Sequence, residues 1–484
     1  VNKPVRRIAI FCGLLVLALL LRDNWLQFVQ ADELKTHKNN RRVDIARYSQ
    51  PRGNIIVDGQ AITGSVETGG VDFKYKRTYV DGPMWAPVTG RSSQVYGATQ
   101  LEKLYDRVLI GDDDRLFFNR TVDMITGKGK KGGDVITTLN SKAQKAAFEG
   151  LGDKKGAVAA IDPRTGKILA LASTPSYDPS KIAGANDGKE WTSLDKDKNQ
   201  PMLNRALRQT YPPGSTFKVV TAAAALENGL YKDVDSKTDS PLPWTLPDTV
   251  TELKNEGSIP CKDASLRVAL QYSCNTVFGK VSADLGNKKM MEEAQKFGFN
   301  NDKVDTPVRA ATSVYPKDNR PQNAMDGIGQ ASNRATPLQM AMVAAAVAND
   351  GKLMEPYMVD KVRAPNLNVI ETHQPKEMSQ PMSRDTARKV QSIMETVVTD
   401  GTGKNGQIKG VTVGGKTGTA QHGVDNSGNP YAWFISYAKG TDGSPVAVAV
   451  VIESSDTLRD DIAGGALAAP VAKKVMEAVL STAK

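Results

Sequence analysis

Apolar runs that lie far apart in the chain, yet have the composition of neighbouring buried strands, restrict its fold more than any other feature. Ala157-Val158-Ala159-Ala160-Ile161 and Ile168-Leu169-Ala170-Leu171-Ala172 flank the turn sequence Asp162-Pro163-Arg164-Thr165-Gly166. Short continuous apolar runs bounded by turn residues suit strands covered on both faces, so this stretch predicts a hairpin of a buried sheet. Comparable segments return only late in the chain, at Gly410–Gly414, Ala432–Tyr437 and Val446–Glu453. Helical patterns lie between and after them: Ser215 to Asn228 closed by Gly229, Leu266 to Leu285, and Lys289 to Phe297 with an amphipathic pattern. A further helix runs from Pro337 to Ala348 with Thr336 as its N-cap, and a last one from Ala468 to Leu480. Strands at both ends with helices between them predict an α/β (α+β) domain whose sheet is assembled from distant segments.

The chain has 484 residues, too many for one ordinary core. Lys3, Arg6 and Arg7 precede an uncharged run from Ile8 to Leu21, and Trp25, Leu26, Phe28 and Val29 extend its apolar character past Arg22 and Asp23. This predicts one uncleaved transmembrane helix, with the basic flank in the cytoplasm and the remainder outside. Cleavage near Val29-Gln30-Ala31 is the alternative, and it also exports the body. Residues 1–30 are thus the cytoplasmic tip and anchor. Residues 31–150 read as a smaller, irregular α+β domain, with a short strand in Pro51–Gly59 closed by Asp58-Gly59. Residues 151–484 read as the main domain. The net charge of +10 favours anionic surroundings. No basic run is interleaved with aromatics, so nucleic acid is not an expected partner.

Cys12, Cys261 and Cys274 lack metal-ligand spacing. Cys261 and Cys274 could pair outside the cell, but two free thiols are the expectation. His37, His373 and His422 sit in no triad context, so a serine enzyme here needs another base. A candidate is at hand in Pro212-Pro213-Gly214-Ser215-Thr216-Phe217-Lys218. Ser215 opens a predicted helix and Lys218 shares its face one turn on. A neutral lysine amine can take the serine proton, and the helix N-terminus offers N–H groups to a developing oxyanion. Ser273-Cys274-Asn275 and Lys416-Thr417-Gly418-Thr419, the latter entered from Val411-Thr412-Val413, follow in the chain. Each alone has a plain structural reading: helix cap, polar loop, strand edge. Together, Ser-x-x-Lys, Ser-x-Asn and Lys-Thr-Gly in this order form the motif set of penicillin-binding proteins and serine β-lactamases.

The sequence resembles the class B penicillin-binding proteins over nearly its whole length, and their short actinobacterial members in particular. Arg52-Gly53-Asn54-Ile55 is similar to the N-terminal signature, with Gly59 where the family has arginine. Ala157–Tyr177, Asn204-Arg205-Ala206, Gly327-Ile328-Gly329-Gln330, Thr336–Ala341 and Trp433-Phe434 carry the likeness through the transpeptidase part, with Ala331 in place of the commoner glycine. Too few residues separate the anchor from that part for a glycosyltransferase domain, and the stretch after Gly418 is too short for a C-terminal accessory domain.

The resemblance implies a peptidoglycan D,D-transpeptidase that needs no metal or organic cofactor. Its substrates would be stem peptides ending in D-Ala-D-Ala, and β-lactam antibiotics would acylate it. Ser215 would be the acylated nucleophile, Lys218 its base and Ser273 the proton relay. Asn275 would hold the substrate amide and Lys218. Lys416, Thr417 and Thr419, with Gly418, would receive the terminal carboxylate, and the N–H groups of Ser215 and Thr419 would form the oxyanion hole. A SEDS-type glycosyltransferase would be a membrane partner. A D,D-carboxypeptidase, a β-lactamase, and a β-lactam sensor or wall-binding scaffold are the rival readings. One β-lactamase type deacylates through a glutamate beyond the Ser-x-Asn motif. Only Glu292 and Glu293 follow soon after Asn275, and they read as solvated surface charges.

Overall fold

The computed structural model describes residues 3–36, 40–116, 131–423, 427–441, 443–455, 457, 459 and 462–482. His37 and part of the predicted N-terminal module, residues 117–130, lie outside them. The main sheet has five strands: β1 (Lys155–Ile161), β2 (Ile168–Thr174), β3 (Val413–Ala420), β4 (Tyr431–Gly440) and β5 (Gly443–Ser454). Their spatial order is β3-β4-β5-β1-β2, and every pairing is antiparallel. The predicted hairpin and the late strands do form one sheet, with β3 at an edge.

Its residues alternate between two cores, as period-2 side chains must. Ala157, Ala159, Trp433, Ile435, Tyr437, Ala447, Ala449 and Val451 join the larger core. Val158, Ala160, Phe434, Val446, Val448 and Val450 join the other. Burial on both faces explains why these strands read as continuous apolar runs. The second face is covered by α1 (Ser141–Leu151) and the C-terminal helix Ala469–Thr482. Behind the first lie α2 (Lys218–Glu227), α3 (Leu266–Tyr272), α4 (Asn275–Leu285) and α5 (Pro337–Ala348). α5 begins where the sequence places it, with Thr336 Oγ1 accepting from Gln339 N at 3.1 Å.

Four expectations need correction. The helix predicted from Leu266 to Leu285 is two helices, broken at Ser273 and Cys274. The strand predicted at Gly410–Gly414 begins at Val413 and carries Lys416-Thr417-Gly418-Thr419 within it. Glycine is a poor strand former, but here it makes room: a Cβ on Gly414 would lie 2.3 Å from the Tyr437 ring, and one on Gly415 2.6 Å from the Phe434 ring. Cys261 and Cys274 form a disulfide rather than two free thiols; both are buried, and the chain reversal between them brings them together. Glu293 is buried, not a solvated charge, and accepts hydrogen bonds from Asn228 and Lys296.

The N-terminal part contains a second five-stranded sheet. Ile55–Val57 turns through Asp58 and Gly59, both at positive φ, into Gln60–Ala61, as an Asp-Gly hairpin requires. Asp134–Thr137 pairs with Ile55–Val57, and on its other side with Val359–Arg363, which pairs in turn with Val369–Thr372. The last two strands come from beyond residue 151, so the two parts of the chain interlock. At the centre of the first part, Glu102 accepts from Arg52 at 3.0 Å and Arg77 at 2.6 Å, with all three residues buried. Burial opposes the Arg52 charge, and Glu102 and Asp106 more than offset it, raising its pKa. Removing one member of such a cluster strands the others. Glu102→Ala is therefore expected to lower unfolding free energy by about 3–5 kcal/mol, measured by denaturant titration. A loss below about 1 kcal/mol would place the cluster in the class of solvated surface pairs.

The N-terminal helix Lys3–Phe28 has a mean hydropathy of 2.1 over its apolar window and buries none of it, so its length and composition fit a membrane span.

Candidate active site

Ser215 does not lie within the α-helix itself. It sits in a single 3₁₀ turn, Gly214–Phe217, that leads directly into α2. The chain around it is fixed from several directions. Tyr211 exchanges backbone hydrogen bonds with Ala335, at 2.9 and 2.8 Å, and its hydroxyl donates to Glu453 at 3.0 Å. Trp433 Nε1 donates to Pro212 O at 3.1 Å, and Gly214 N donates to Gly329 O at 2.9 Å. Strand β3 lies directly against this turn. Gly214 has φ +54°, and a Cβ there would meet Thr419 O at 3.0 Å. A Cβ on Gly418 would meet Thr216 Cγ2 at 3.0 Å. Glycine at both positions permits the approach that brings Thr417, Gly418 and Thr419 beside Ser215.

Lys218 is fully buried at the start of α2. Its Nζ lies 2.7 Å from Ser273 O, 2.6 Å from Asn275 Oδ1 and 3.2 Å from Ser273 Oγ. The break between α3 and α4 makes this possible. Ser273 adopts φ +64°, and Cys274 N reaches back to Ala269 O at 2.8 Å, a Schellman-type closure of α3. A non-glycine residue at positive φ costs about 1–3 kcal/mol and persists only where its surroundings fix it. Here the Lys218 bond to Ser273 O and the Cys274–Cys261 disulfide do so.

Lys416, also fully buried, lies 2.9 Å from Ser273 Oγ and 2.9 Å from Thr417 O. The Ser273 hydroxyl therefore stands between two lysine amines. Burial pushes the Lys218 pKa well below the lysine range, the Lys416 cation adds to this, and Glu256 opposes it. Burial also lowers Lys416, to about 7, again opposed by Glu256. A neutral Lys218 has two N–H groups and one lone pair. Ser273 O and Asn275 Oδ1 can only accept, so they take the N–H groups. Ser273 Oγ can donate to the lone pair while accepting from protonated Lys416. The result is a continuous path for one proton: Lys416, Ser273, Lys218.

Three residues outside the motifs shape the site. Asn255 Oδ1 accepts from Asn275 N at 2.7 Å and Thr276 N at 3.1 Å, capping α4 from another segment. Thr402 Oγ1 and Thr417 Oγ1 are 2.6 Å apart, which fixes the Thr417 hydroxyl. Glu256 acts on both lysines through space. No local sequence pattern marks Asn255 or Glu256; Thr402 stands in the turn-like Gly401-Thr402-Gly403. Of the described histidines, His373 stacks on Tyr357, and His422 stacks on Tyr431.

Residues 156–477 match the penicillin-binding protein transpeptidase domain, and residues 52–135 match the penicillin-binding protein A dimerisation domain. The chain is 39% identical over 492 residues to the peptidoglycan D,D-transpeptidase PbpA of Mycolicibacterium smegmatis, covering 99% of each. It is 39% identical over 495 residues to the protein of the same name from Mycobacterium tuberculosis strain H37Rv, again covering 99% of each. Among solved structures it is similar to the ceftriaxone acyl-enzyme complex of penicillin-binding protein A from M. tuberculosis, with TM-score 0.85 and 38% identity over 90% of this chain and 100% of that one. The penicillin G acyl-enzyme complex of the same protein gives TM-score 0.83 at 39% identity, over 89% of this chain and 100% of that one.

Proposed function

The chain belongs to the penicillin-binding protein transpeptidases, and from that premise we infer that it is a peptidoglycan D,D-transpeptidase acting through an acyl ester on Ser215. It takes part in cell wall synthesis and binds β-lactams covalently. The observation that carries the residue assignment is the Ser273 hydroxyl held between two buried lysines beside the nucleophile turn. Ser215 attacks the carbonyl of the penultimate D-alanine, and its proton passes to neutral Lys218. The path through Ser273 delivers a proton to the departing D-alanine amine. Protonated Lys416 and the Thr417 and Thr419 hydroxyls bind the terminal carboxylate, which needs a cation there rather than another acceptor. The Ser215 and Thr419 N–H groups receive the oxyanion, since alternate backbone groups of the edge strand β3 face away from β4, and the Thr419 backbone faces the nucleophile turn. The amine of a second stem peptide then displaces Ser215 and forms the crosslink.

The body is exported in this reading. Lys3, Arg6 and Arg7 at the start of the apolar helix support a cytoplasmic N-terminus. A SEDS-type glycosyltransferase partner belongs to the same proposal and rests on the family alone.

A β-lactamase would make the same ester but hydrolyse it. Glu293, the glutamate best placed for that by sequence, bonds to Asn228 at the far end of α2. Ten residues of helix put this end about 15 Å from the nucleophile turn. The penicilloyl ester on Ser215 is therefore expected to be long-lived. Hydrolysed penicillin released per enzyme over time should show one burst matching the enzyme concentration. Many turnovers per minute would refute the synthase reading. The assay is run with and without bicarbonate, because a carbamylated Lys218 could activate water.

A further inference from the structure

The rim of the cleft beside Ser273 is built by Lys254-Asn255-Glu256, which follows the short hairpin of Trp244–Thr245 and Glu252–Leu253. This rim is tied to the catalytic motif on both sides. Asn275 Nδ2 donates to Lys254 O at 2.9 Å, and Asn255 bonds to Asn275 N, Thr276 N and, at 3.0 Å, Thr276 Oγ1. Glu256 comes next, exposed to solvent, and among the described residues it forms no ion pair or hydrogen bond. Its field nevertheless reaches both Lys218 and Lys416. A carboxylate whose charge is felt by two lysine amines, yet bound to neither, remains available to an incoming cation.

The reaction supplies one. The donor stem peptide presents a carboxylate, for which Lys416 and Thr417 are suited. The acceptor presents a primary amine, which arrives at neutral pH as an ammonium ion. We propose that Glu256 is the acceptor-recognition residue, drawing the incoming ammonium group to the Ser273 side of the cleft while the donor carboxylate occupies the Lys416 side. This rests on the transpeptidase reading above. Glu256 forms no covalent bond. The ammonium first loses a proton to solvent. The amine nitrogen then forms the new C–N bond, the ester C–O bond to Ser215 breaks, and the second amine proton returns to Ser215 Oγ through the Lys218–Ser273 pair.

The test uses the full chain in detergent, a D-alanyl thioester as donor, and a dibasic amino acid amide as acceptor, with aminolysis and hydrolysis products separated by mass spectrometry. Glu256→Gln is expected to raise the KM for the amine about three- to ten-fold, with little change at saturating acceptor, because a rim charge governs capture more than the step that follows. Glu256→Asp should recover part of the loss, and added salt should shrink the difference. Acylation by penicillin G, an anion, should move the opposite way. Removing a nearby negative charge favours its approach and also frees both lysines from the upward pull, so the acid limb of its pH profile should shift down. A parallel fall in both reactions would make the residue structural and overturn the proposal. So would an unchanged amine KM, or a longer-lived penicilloyl ester, which would mean that Glu256 activates water. Failure of the wild-type chain to react with penicillin G at all would instead refute the transpeptidase reading.

Discussion

Ser215→Ala is expected to abolish covalent labelling by penicillin while the protein stays folded. Loss of a nucleophile from a serine acyl-transfer site costs about 10⁶-fold in rate, so no labelled protein should be detectable. Ser215 is half-buried in a turn held by its neighbours' bonds, and a missing hydroxyl there should change stability by no more than about 1 kcal/mol. The rival nucleophile is Ser273, whose hydroxyl touches both lysine amines. Two features argue against it. Ser273 closes α3, its carbonyl faces Lys218, and the N–H groups that open α4 at Asn275 and Thr276 are already taken by Asn255 Oδ1, so no free donors are set for an oxyanion there. Ser215 lies at the N-terminal end of α2, where the helix dipole favours one. Fluorescent penicillin labelling followed by peptide mapping decides between them. A label on the Ser273 peptide, or undiminished labelling of Ser215→Ala, would overturn the assignment.

The candidate side chains that the structure brings together were legible because chemistry ties their types to short fixed spacings. Ser215 and Lys218 must share one helix turn, and Lys416-Thr417-Gly418 must lie on one strand. The sheet was legible because strands buried on both faces carry few polar residues. What could not be read is what joins distant segments. Nothing local distinguishes Asn255 from any other loop asparagine, yet it caps α4 and fixes Asn275. The break at Ser273 was hidden because Leu266–Tyr272 and Asn275–Leu285 keep helical periodicity on each side of it. The Cys261–Cys274 disulfide depended on a chain reversal that spacing alone does not reveal. The hairpin at Val359–Thr372 pairs with a strand more than two hundred residues earlier, and the short-range pattern carries no trace of that.

The acylation rate should depend on pH as a bell, and Lys416→Ala should deform it in a defined way. Lys218 must be neutral to accept the serine proton, so the rate rises with pH through its lowered pKa. Lys416 must be protonated to bind a carboxylate, so the rate falls through its pKa of about 7. An anionic donor on Lys416 favours the protonated form, so the alkaline limb should lie higher for kcat than for kcat/KM. Lys416→Ala removes a charged hydrogen bond to the substrate and should slow second-order acylation about 100-fold. It also removes the alkaline limb. The acid limb moves to higher pH, because Lys218 loses the repulsion that helped to depress it but retains the effect of burial. Stability should follow a different course. Both lysines have folded-state pKa values below the unfolded value of 10.5, so between the two values the unfolded chain binds more protons, and stability rises with pH across that window. Below about pH 7, holding Lys416 protonated in the interior costs free energy that the variant does not incur. Lys416→Ala should thus melt at or above the wild-type temperature at neutral pH, with a smaller rise toward pH 10. Stopped-flow acylation and thermal melts over the same pH series measure both effects. A variant that melts far lower while acylating normally would make Lys416 a structural residue and remove it from the carboxylate site.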